Sequence, residues 1–284
     1  MLNYTIIIPA KNEARSLKTL LPKIKEACPD SEVLVVNDGS TDETSQVCEE
    51  FFVTEILHPY SKGNGAAIKS GARAASGDVL VFMDADGQHS PNDILRLVEK
   101  LDDGYDMVVG ARGSESQANV GRDVANRFYN RLASYVVDHK VEDLTSGFRA
   151  VRREKFLEFL YLLPNGFSYP TTSTMAFFRA GYSVFYLPIV ASAREGKSHI
   201  KPIKDGIRFL LIIFKVGTLY SPLKIFFPLA FFVFMLGTSY YGYTFFTEGR
   251  FTNMSALMFT TALIVFMVGL VSEQITALMY KNKE

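Results

Sequence analysis

Three short polar clusters each follow a run of apolar residues. Lys11-Asn12-Glu13 follows Tyr4–Ala10, Asn37-Asp38-Gly39-Ser40-Thr41-Asp42 follows Val33–Val36, and Asp84-Ala85-Asp86-Gly87-Gln88-His89 follows Val79–Met83. Any one alone could be a helix N-cap, where Asp, Asn and Ser are favoured. That explanation suits Ser40, Thr41 and Asp42, but it accounts poorly for three acidic clusters at three strand ends. Asp84 and Asp86 flank one small residue, Ala85, so both carboxylates point into one crevice. Left alone, each would oppose the other's ionisation. A hard divalent cation removes that conflict. Mg²⁺ is held by one or two carboxylates and completes its shell with phosphate oxygens and water, and Gln88 could add an oxygen. The pattern reads as a metal plus a diphosphate, and so a nucleotide-activated donor. There is no Walker A pattern and no GxGxxG at the first turn, which argues against a nucleotidase or a dehydrogenase.

Residues that share a crevice need elements to carry them there. The runs at 4–8, 33–36, 78–83 and 106–110 predict buried strands, the first stopping at Pro9. Apolar spacing predicts helices over 14–27, 41–52, 64–75, 91–101, near 122–138 and over 153–163, with a further strand at 184–190. Strand alternating with helix gives an α/β domain with a mostly parallel sheet, whose ligands bind beyond the carboxyl ends of the strands. The ten N-terminal residues lack a basic n-region and do not read as a signal peptide. The two cysteines, Cys28 and Cys48, lack metal spacing and read as small packed hydrophobes in a reducing compartment.

The 30 basic and 30 acidic side chains balance, but they are unevenly spread. Residues 225–272 hold only Glu248 and Arg250. Spans over 225–247 and 251–272 are each long enough to cross ~30 Å of hydrocarbon. Upstream, 194–224 carries seven Lys/Arg against two acids. Lys201, Lys204, Arg208 and Lys215 fall on one face of a helix, as expected of an interfacial segment on anionic lipid. Basic flanks place the N-terminal domain and the C-terminus in the cytosol. Glu273, at the end of the second span, is expected to snorkel to the interface. The expected organisation is a cytosolic domain over 1–200, an interfacial helix over 201–221, and a transmembrane hairpin with a short cytosolic tail over 222–284.

The ordered motifs Ile8-Pro9-Ala10-Lys11-Asn12-Glu13, Val36–Asp42, Gly63-Asn64-Gly65-Ala66-Ala67 and Asp84–His89 resemble the family 2 glycosyltransferases of GT-A fold. Gly110-Ala111-Arg112, Thr145-Ser146-Gly147-Phe148-Arg149 and Arg194-Glu195-Gly196-Lys197-Ser198 narrow the resemblance to the dolichol-phosphate mannose synthase-like branch. That branch moves a sugar from a nucleotide diphosphate to a polyprenyl monophosphate. The resemblance implies that Pro9, Ala10, Asn12, Glu13, Asp38, Gly65, Asp84 and Ala85 bind the donor nucleotide. It implies Mg²⁺ or Mn²⁺ on Asp84, Asp86 and Gln88. Arg112, Arg122, Asn126, Arg194 and Ser198 would meet the acceptor phosphate, with Asp86, Arg122 and Arg194 at the reacting centre.

Two departures bear on the donor contacts: Asn37 stands where many relatives have Asp, and Asn64 where many have Lys. The implied reaction is a metal-dependent inverting transfer from a UDP- or GDP-sugar to dolichyl or undecaprenyl phosphate. Another lipid or a glycan as acceptor is the second reading. The chain has no tryptophan, which disfavours the processive synthases and their Gln-x-x-Arg-Trp motif. Membrane lipid is an expected partner and nucleic acid is not; homo-oligomerisation is left open.

Overall fold

A computed structural model describes residues 3–112, 120–166, 168–190 and 202–281. Its first compact unit comprises residues 1–134 and 139–210, and its second comprises 135–138 and 211–284.

The first unit is built on a sheet of seven strands: β1 (Tyr4–Ala10), β2 (Glu32–Asn37), β3 (Thr54–Leu57), β4 (Val79–Phe82), β5 (Met107–Arg112), β6 (Arg149–Arg152) and β7 (Val184–Ile189). Their spatial order is β3-β2-β1-β4-β6-β5-β7. All pairings are parallel except those of β6, which runs antiparallel to both β4 and β5. Helices α1 (Ala14–Ala27), α2 (Thr44–Glu50), α3 (Asn64–Ala74) and α4 (Asn92–Asp102) alternate with the first five strands. They are followed by α5 (Val120–Val137), α6 (Arg153–Leu157) and α7 (Tyr169–Arg179). One face of the sheet carries Ile6, Ile8, Val35, Val81 and Val108, fully buried against Leu17, Leu21, Ile94 and Leu97 of α1 and α4. Cys28 and Cys48 lie in the same core as free thiols.

The structure departs from the expected elements at five points. β1 runs through Pro9 to Ala10. Ala10 O turns towards β2, where it accepts Asp38 N–H at 2.8 Å. Pro9 therefore has no N–H to give β4, and the β1–β4 ladder stops there, after Met83 N–H bonds Ile7 O at 3.1 Å. β3 is a four-residue edge strand with half-exposed residues, too short to show alternation. β6 reads Arg-Ala-Val-Arg, charged at both ends and without a strand pattern. α7 is rich in Thr and Ser, weak helix formers, and is buried along every residue from Tyr169 to Phe178, so it has no polar face to give it a period. The expected helix over 153–163 ends at Leu157. Phe159, Leu160 and Leu162 continue it as tight turns with bonds three residues back.

In the second unit, α9 (Pro222–Glu248) and α10 (Asn253–Lys281) form an antiparallel pair. Both are long and apolar enough to cross a membrane, and only 11% and 17% of their most apolar windows is buried. A soluble core pair would be mostly covered. Small residues let the helices approach. Ala230 and Ala262 are buried, and a Cβ on Gly269 would lie 2.7 Å from Phe226 Cβ. α8 (Pro202–Tyr220) precedes the pair. Glu273, at the end of the second span, accepts the Leu223 N–H on Oε2 at 3.2 Å, in the first turn of α9, where N–H groups lack helical partners.

Gly269→Leu is expected to force the hairpin apart and destabilise it by about 1–3 kcal/mol, the usual range for overpacking. A lower unfolding midpoint in detergent would register it.

Candidate active site

The carboxyl ends of β2, β1 and β4 lie side by side, and the loops that leave them are sewn together by their own polar residues. Ser40 Oγ accepts Asn12 N–H at 2.9 Å, and Asn12 Oδ1 accepts Thr41 N–H at 2.8 Å. Asp42 Oδ2 accepts Ala14 N–H at 3.1 Å. Asn12 holds a left-handed φ of 56°, a conformation Asn tolerates better than most residues. Glu13 Oε2 takes the Ser16 hydroxyl at 2.8 Å. Asn37 spends its amide on Glu55 at 2.8 Å and Ser45 at 3.1 Å, and its carbonyl on Ser40 N–H at 2.8 Å.

Asp38 is the organiser of this side. Its Oδ1 accepts His58 Nδ1 at 2.7 Å and Lys62 N–H at 2.8 Å. Its Oδ2 accepts Ser61 Oγ at 2.7 Å and Gly63 N–H at 2.8 Å. A carboxylate offers about four lone-pair positions, so these four bonds fill it. Burial by itself would raise the Asp38 pKa, but the bonds from His58, Lys62, Ser61 and Gly63 outweigh it and bring it to about 2. Asp38, expected to bind nucleotide, thus has its acceptors used in ordering residues 58–63. That loop crosses Gly39 so closely that a Cβ there would sit 2.7 Å from the Tyr60 carbonyl carbon, and Gly39 has φ 66°. Gly65 is engaged in a similar way. Its N–H bonds to Gly166 O at 3.1 Å, and an added Cβ would meet Pro164 O at 2.0 Å. Its glycine identity is explained by packing at the start of α3.

The second side centres on Asp84 and Asp86. Gly147 presses on Asp84: a Cβ there would lie 2.9 Å from Asp84 Oδ2. Asp86 Oδ1 accepts Gln88 N–H at 3.2 Å across Gly87, which has φ 71°. His89 stacks on Phe148 with ring centroids 4.8 Å apart. Its Nδ1 is buried with no hydrogen-bond partner among the described residues. Burial lowers the His89 pKa to about 4 despite the opposing charge of Asp86, so the ring is neutral at pH 7.

Arg112, at the end of β5, meets Asp143 through Nε at 2.9 Å and Nη2 at 3.0 Å, and Thr145 Oγ1 through Nη2 at 2.7 Å. Burial would lower its pKa, but the Asp143 bond and charge, together with Asp84 and Asp86, raise it. Asp143 also accepts the N–H groups of Thr145 at 3.1 Å and Ser146 at 3.0 Å. It is held below the usual carboxylate range, with burial opposed chiefly by Arg112.

Behind this turn, Arg149 is completely buried. It donates to Pro170 O at 3.1 Å, Ser173 Oγ at 2.9 Å, Thr174 Oγ1 at 3.0 Å and Ser146 O. Tyr169 OH donates to Gly147 O at 2.7 Å.

The structure thus brings together Asp84, Asp86, Gln88 and Arg112. Pro9, Ala10, Asn12, Glu13 and Asp38 lie along the adjoining strand ends, and Ala85 is buried between the two carboxylates. Asn126 is on α5, as is Arg122, whose side chain lies outside the described residues. Arg194 and Ser198 also lie outside them. Sequence reasoning missed His58 and Tyr169, which carry no local signal. Asp143, two residues before the Thr145–Arg149 motif, reads from the sequence, with Arg149, as a brace of its loop or a direct contact, and the structure shows it bracing Arg112 and the turn at 145–146. Among the described residues no three His, Cys, Asp or Glu side chains gather as a metal cage. The two carboxylates instead suit a cation whose shell is completed by ligand oxygens.

Residues 5–160 match the glycosyl transferase family 2, and residues 221–278 match the GtrB C-terminal hairpin. A polyprenol monophosphomannose synthase of Mycolicibacterium smegmatis is 31% identical over 205 residues, covering 67% of this chain and 77% of that protein. An undecaprenyl-phosphate 4-deoxy-4-formamido-L-arabinose transferase of Klebsiella pneumoniae is 34% identical over 159 residues, 52% of this chain and 48% of its relative, so that match spans about half the relative. Glucosyl-3-phosphoglycerate synthase of Mycobacterium tuberculosis shares the fold. Its complex with Mn²⁺, UDP and glucosyl-3-phosphoglycerate aligns at TM-score 0.60 and 20% identity over 76% of this chain and 80% of that one. A complex of the same enzyme with Mg²⁺ and UDP aligns at TM-score 0.62.

Asp38 has a depressed pKa, so its stabilising contribution is present above the unfolded value near 3.8 and is lost as pH falls through about 2. Unfolding midpoints measured from pH 4 down to pH 2 should therefore drop in the wild type and be flatter in Asp38→Asn. At pH 7, Asp38→Ala should cost about 1–3 kcal/mol, because buried donors lose their acceptor.

Proposed function

The chain belongs to glycosyl transferase family 2 and is a glycosyltransferase, and on that premise we propose that it transfers a sugar from a nucleoside-diphosphate donor to a polyprenyl monophosphate. The observation that carries this reading is the pairing of the Asp84/Asp86 carboxylates with an Arg112 whose charge interacts with both. One half suits a metal–diphosphate, the other a phosphate. The named activities of the mannose synthase and arabinose transferase relatives, and the match to the GtrB hairpin, support the same acceptor class.

Asp84, Asp86 and Gln88 would hold Mg²⁺ or Mn²⁺. A bound divalent ion would neutralise charge on the donor diphosphate and on the departing nucleoside diphosphate. Asp143 fixes the Arg112 guanidinium, whose planar fork matches phosphate geometry. Arg122, Asn126, Arg194 and Ser198 are proposed to complete the acceptor site, with Arg122 and Arg194 nearest the reacting atoms. Pro9, Ala10, Asn12, Glu13 and Ala85 are proposed to line the nucleoside and diphosphate path, and Asp38 and Gly65 to shape it from behind.

A phosphate monoester has its second pKa near ~6 and is already a dianion at pH 7. Its oxygen can form the new bond to the anomeric carbon as the bond to the leaving diphosphate oxygen breaks, with inversion and no proton transfer. This chemistry requires no side chain as general base. Neutral His89 is buried beside Asp86, and its proposed part is to shape the turn.

The hairpin marks a membrane protein. We place the catalytic domain and the C-terminus on the cytosolic side, with the basic 201–221 segment at the interface.

Purified protein with Mn²⁺ or Mg²⁺, radiolabelled UDP- and GDP-sugars and undecaprenyl or dolichyl phosphate should yield organic-extractable label. Asp86→Asn should lower the rate by about 100-fold or more, ~2.7 kcal/mol of transition-state stabilisation. Gly147→Ala, which crowds Asp84, should weaken Mn²⁺ binding by about 10–100-fold, as supporting residues around a metal commonly do. Label found solely on a phosphate-free acceptor, or on no lipid at all, would overturn the proposal.

A further inference from the structure

Arg149 is 0% exposed, and a guanidinium stays protonated inside a protein. A buried charge is ordinarily met by an opposite charge in hydrogen-bond contact. The hydrogen bonds of Arg149 go instead to neutral oxygens. Nη1 donates to Pro170 O at 3.1 Å, Ser173 Oγ at 2.9 Å and Thr174 Oγ1 at 3.0 Å, and Nη2 donates to Ser146 O. Nη1 also lies 3.7 Å from Met107 Sδ, and the guanidinium carbon sits 5.7 Å from the centroid of the Tyr169 ring. Nε has no partner among the described residues. Hydroxyls, carbonyls and a ring face solvate a cation, but they do not balance its charge. The Ser and Thr residues of α7 thus have a use: they stand in for water around a guanidinium that water cannot reach.

The balancing charge lies across the turn at 146–147. Ser146 O receives Nη2, and the next residue, Gly147, leaves no room for a Cβ against Asp84 Oδ2. The charge of Arg149 interacts with those of Asp143 and Asp84. Asp143 is already committed to Arg112, whose charge also interacts with Asp84 and Asp86. Among the described residues at this turn, Asp84, Asp86 and Asp143 therefore face Arg112 and Arg149, with one carboxylate in excess. Without Arg149 two carboxylates would be in excess, enough to match a divalent cation by themselves. Charges in a protein interior act on one another with little screening by salt.

We propose that Arg149 is a fixed counter-charge behind the Asp84/Asp86 pair, and that it makes divalent-cation binding depend on the donor diphosphate. This rests on the reading of Asp84, Asp86 and Gln88 as the cation's ligands. Arg149 is a supporting residue and not a catalytic one, since at 0% exposure it is closed off from any ligand. With its charge in place, the carboxylates by themselves hold a free cation weakly. The phosphate oxygens of the donor supply the missing negative charge, so cation and nucleoside diphosphate enter together and leave together. A site with two uncompensated carboxylates would keep the cation after the nucleoside diphosphate had gone.

The test is Mn²⁺ binding to the full-length protein in neutral detergent, read from the electron paramagnetic resonance signal of free Mn²⁺, without nucleotide and with UDP or GDP. The wild type should bind Mn²⁺ at least about 10-fold tighter with a nucleoside diphosphate than without, and the diphosphate should gain the same factor from Mn²⁺. Arg149→Gln should tighten Mn²⁺ binding in the absence of nucleotide by about 10-fold and shrink the nucleotide's effect. Arg149→Lys, which keeps the charge, should stay within about threefold of the wild type. Ser173→Asp gives the guanidinium a carboxylate partner and should tighten binding as Arg149→Gln does, which keeps the test readable if Arg149→Gln does not fold. Loss of a structural brace would loosen the site, so tighter binding separates a charge effect from a packing one. Unchanged or weaker Mn²⁺ binding in the neutralised variants would overturn the inference and leave the proposed transfer standing. A wild type that binds no Mn²⁺ even with UDP and GDP would remove the cation reading itself, and the inference with it.

Discussion

One buried carboxylate, Asp143, sets the geometry on which the rest of the catalytic side depends. It holds Arg112 through two guanidinium nitrogens, one on each oxygen, and with Oδ1 also takes the N–H groups of Thr145 and Ser146. The turn so formed brings Gly147 against Asp84, with no room for a side chain between them. Arg149 and Tyr169 then hold the carbonyls of Ser146 and Gly147 from behind. A cation and a carboxylate from strands separated by β6 in the sheet are thereby fixed by a single group. Exposed ion pairs stabilise little. The Arg112–Asp143 pair is largely shielded from water and, more to the point, decides where a charge is held.

Much of the first 110 residues was legible because buried parallel strands announce themselves as apolar runs and their ends as polar punctuation. Asp84 and Asp86 stood out for the same reason, since ionised neighbours need a cause. β6 and α7 were illegible for opposite reasons. β6 is too short and too charged to show alternation, and α7 is buried all round and shows no periodicity. The site residues divide in the same way. A sequence displays which groups could bind, but not which are already occupied. Asp38 and Gly65 carried the family pattern, yet one has its lone pairs filled by His58, Ser61, Lys62 and Gly63, and the other is a close-packing glycine. Those partners lie 20 to 101 residues away in the chain, beyond the reach of any local pattern.

The neutral overall charge conceals a division of labour. Carboxylates gather at the strand ends, where a cation would offset them. Arginines and lysines gather on α5, around Arg112 and in the 194–224 stretch. Two long helices carry almost no charge. Each group would be costly in another's place: a carboxylate cluster near anionic lipid would be repelled, and a lysine stripe in hydrocarbon would not insert.

The Glu273–Leu223 bond joins residues 50 positions apart, and that interval has a consequence for biogenesis. When α9 leaves the ribosome, the carboxylate that will accept the Leu223 N–H has yet to be translated. That bond can form only once the second span has been made, so the capped first turn of α9 is a property of the finished hairpin and not of its first helix alone.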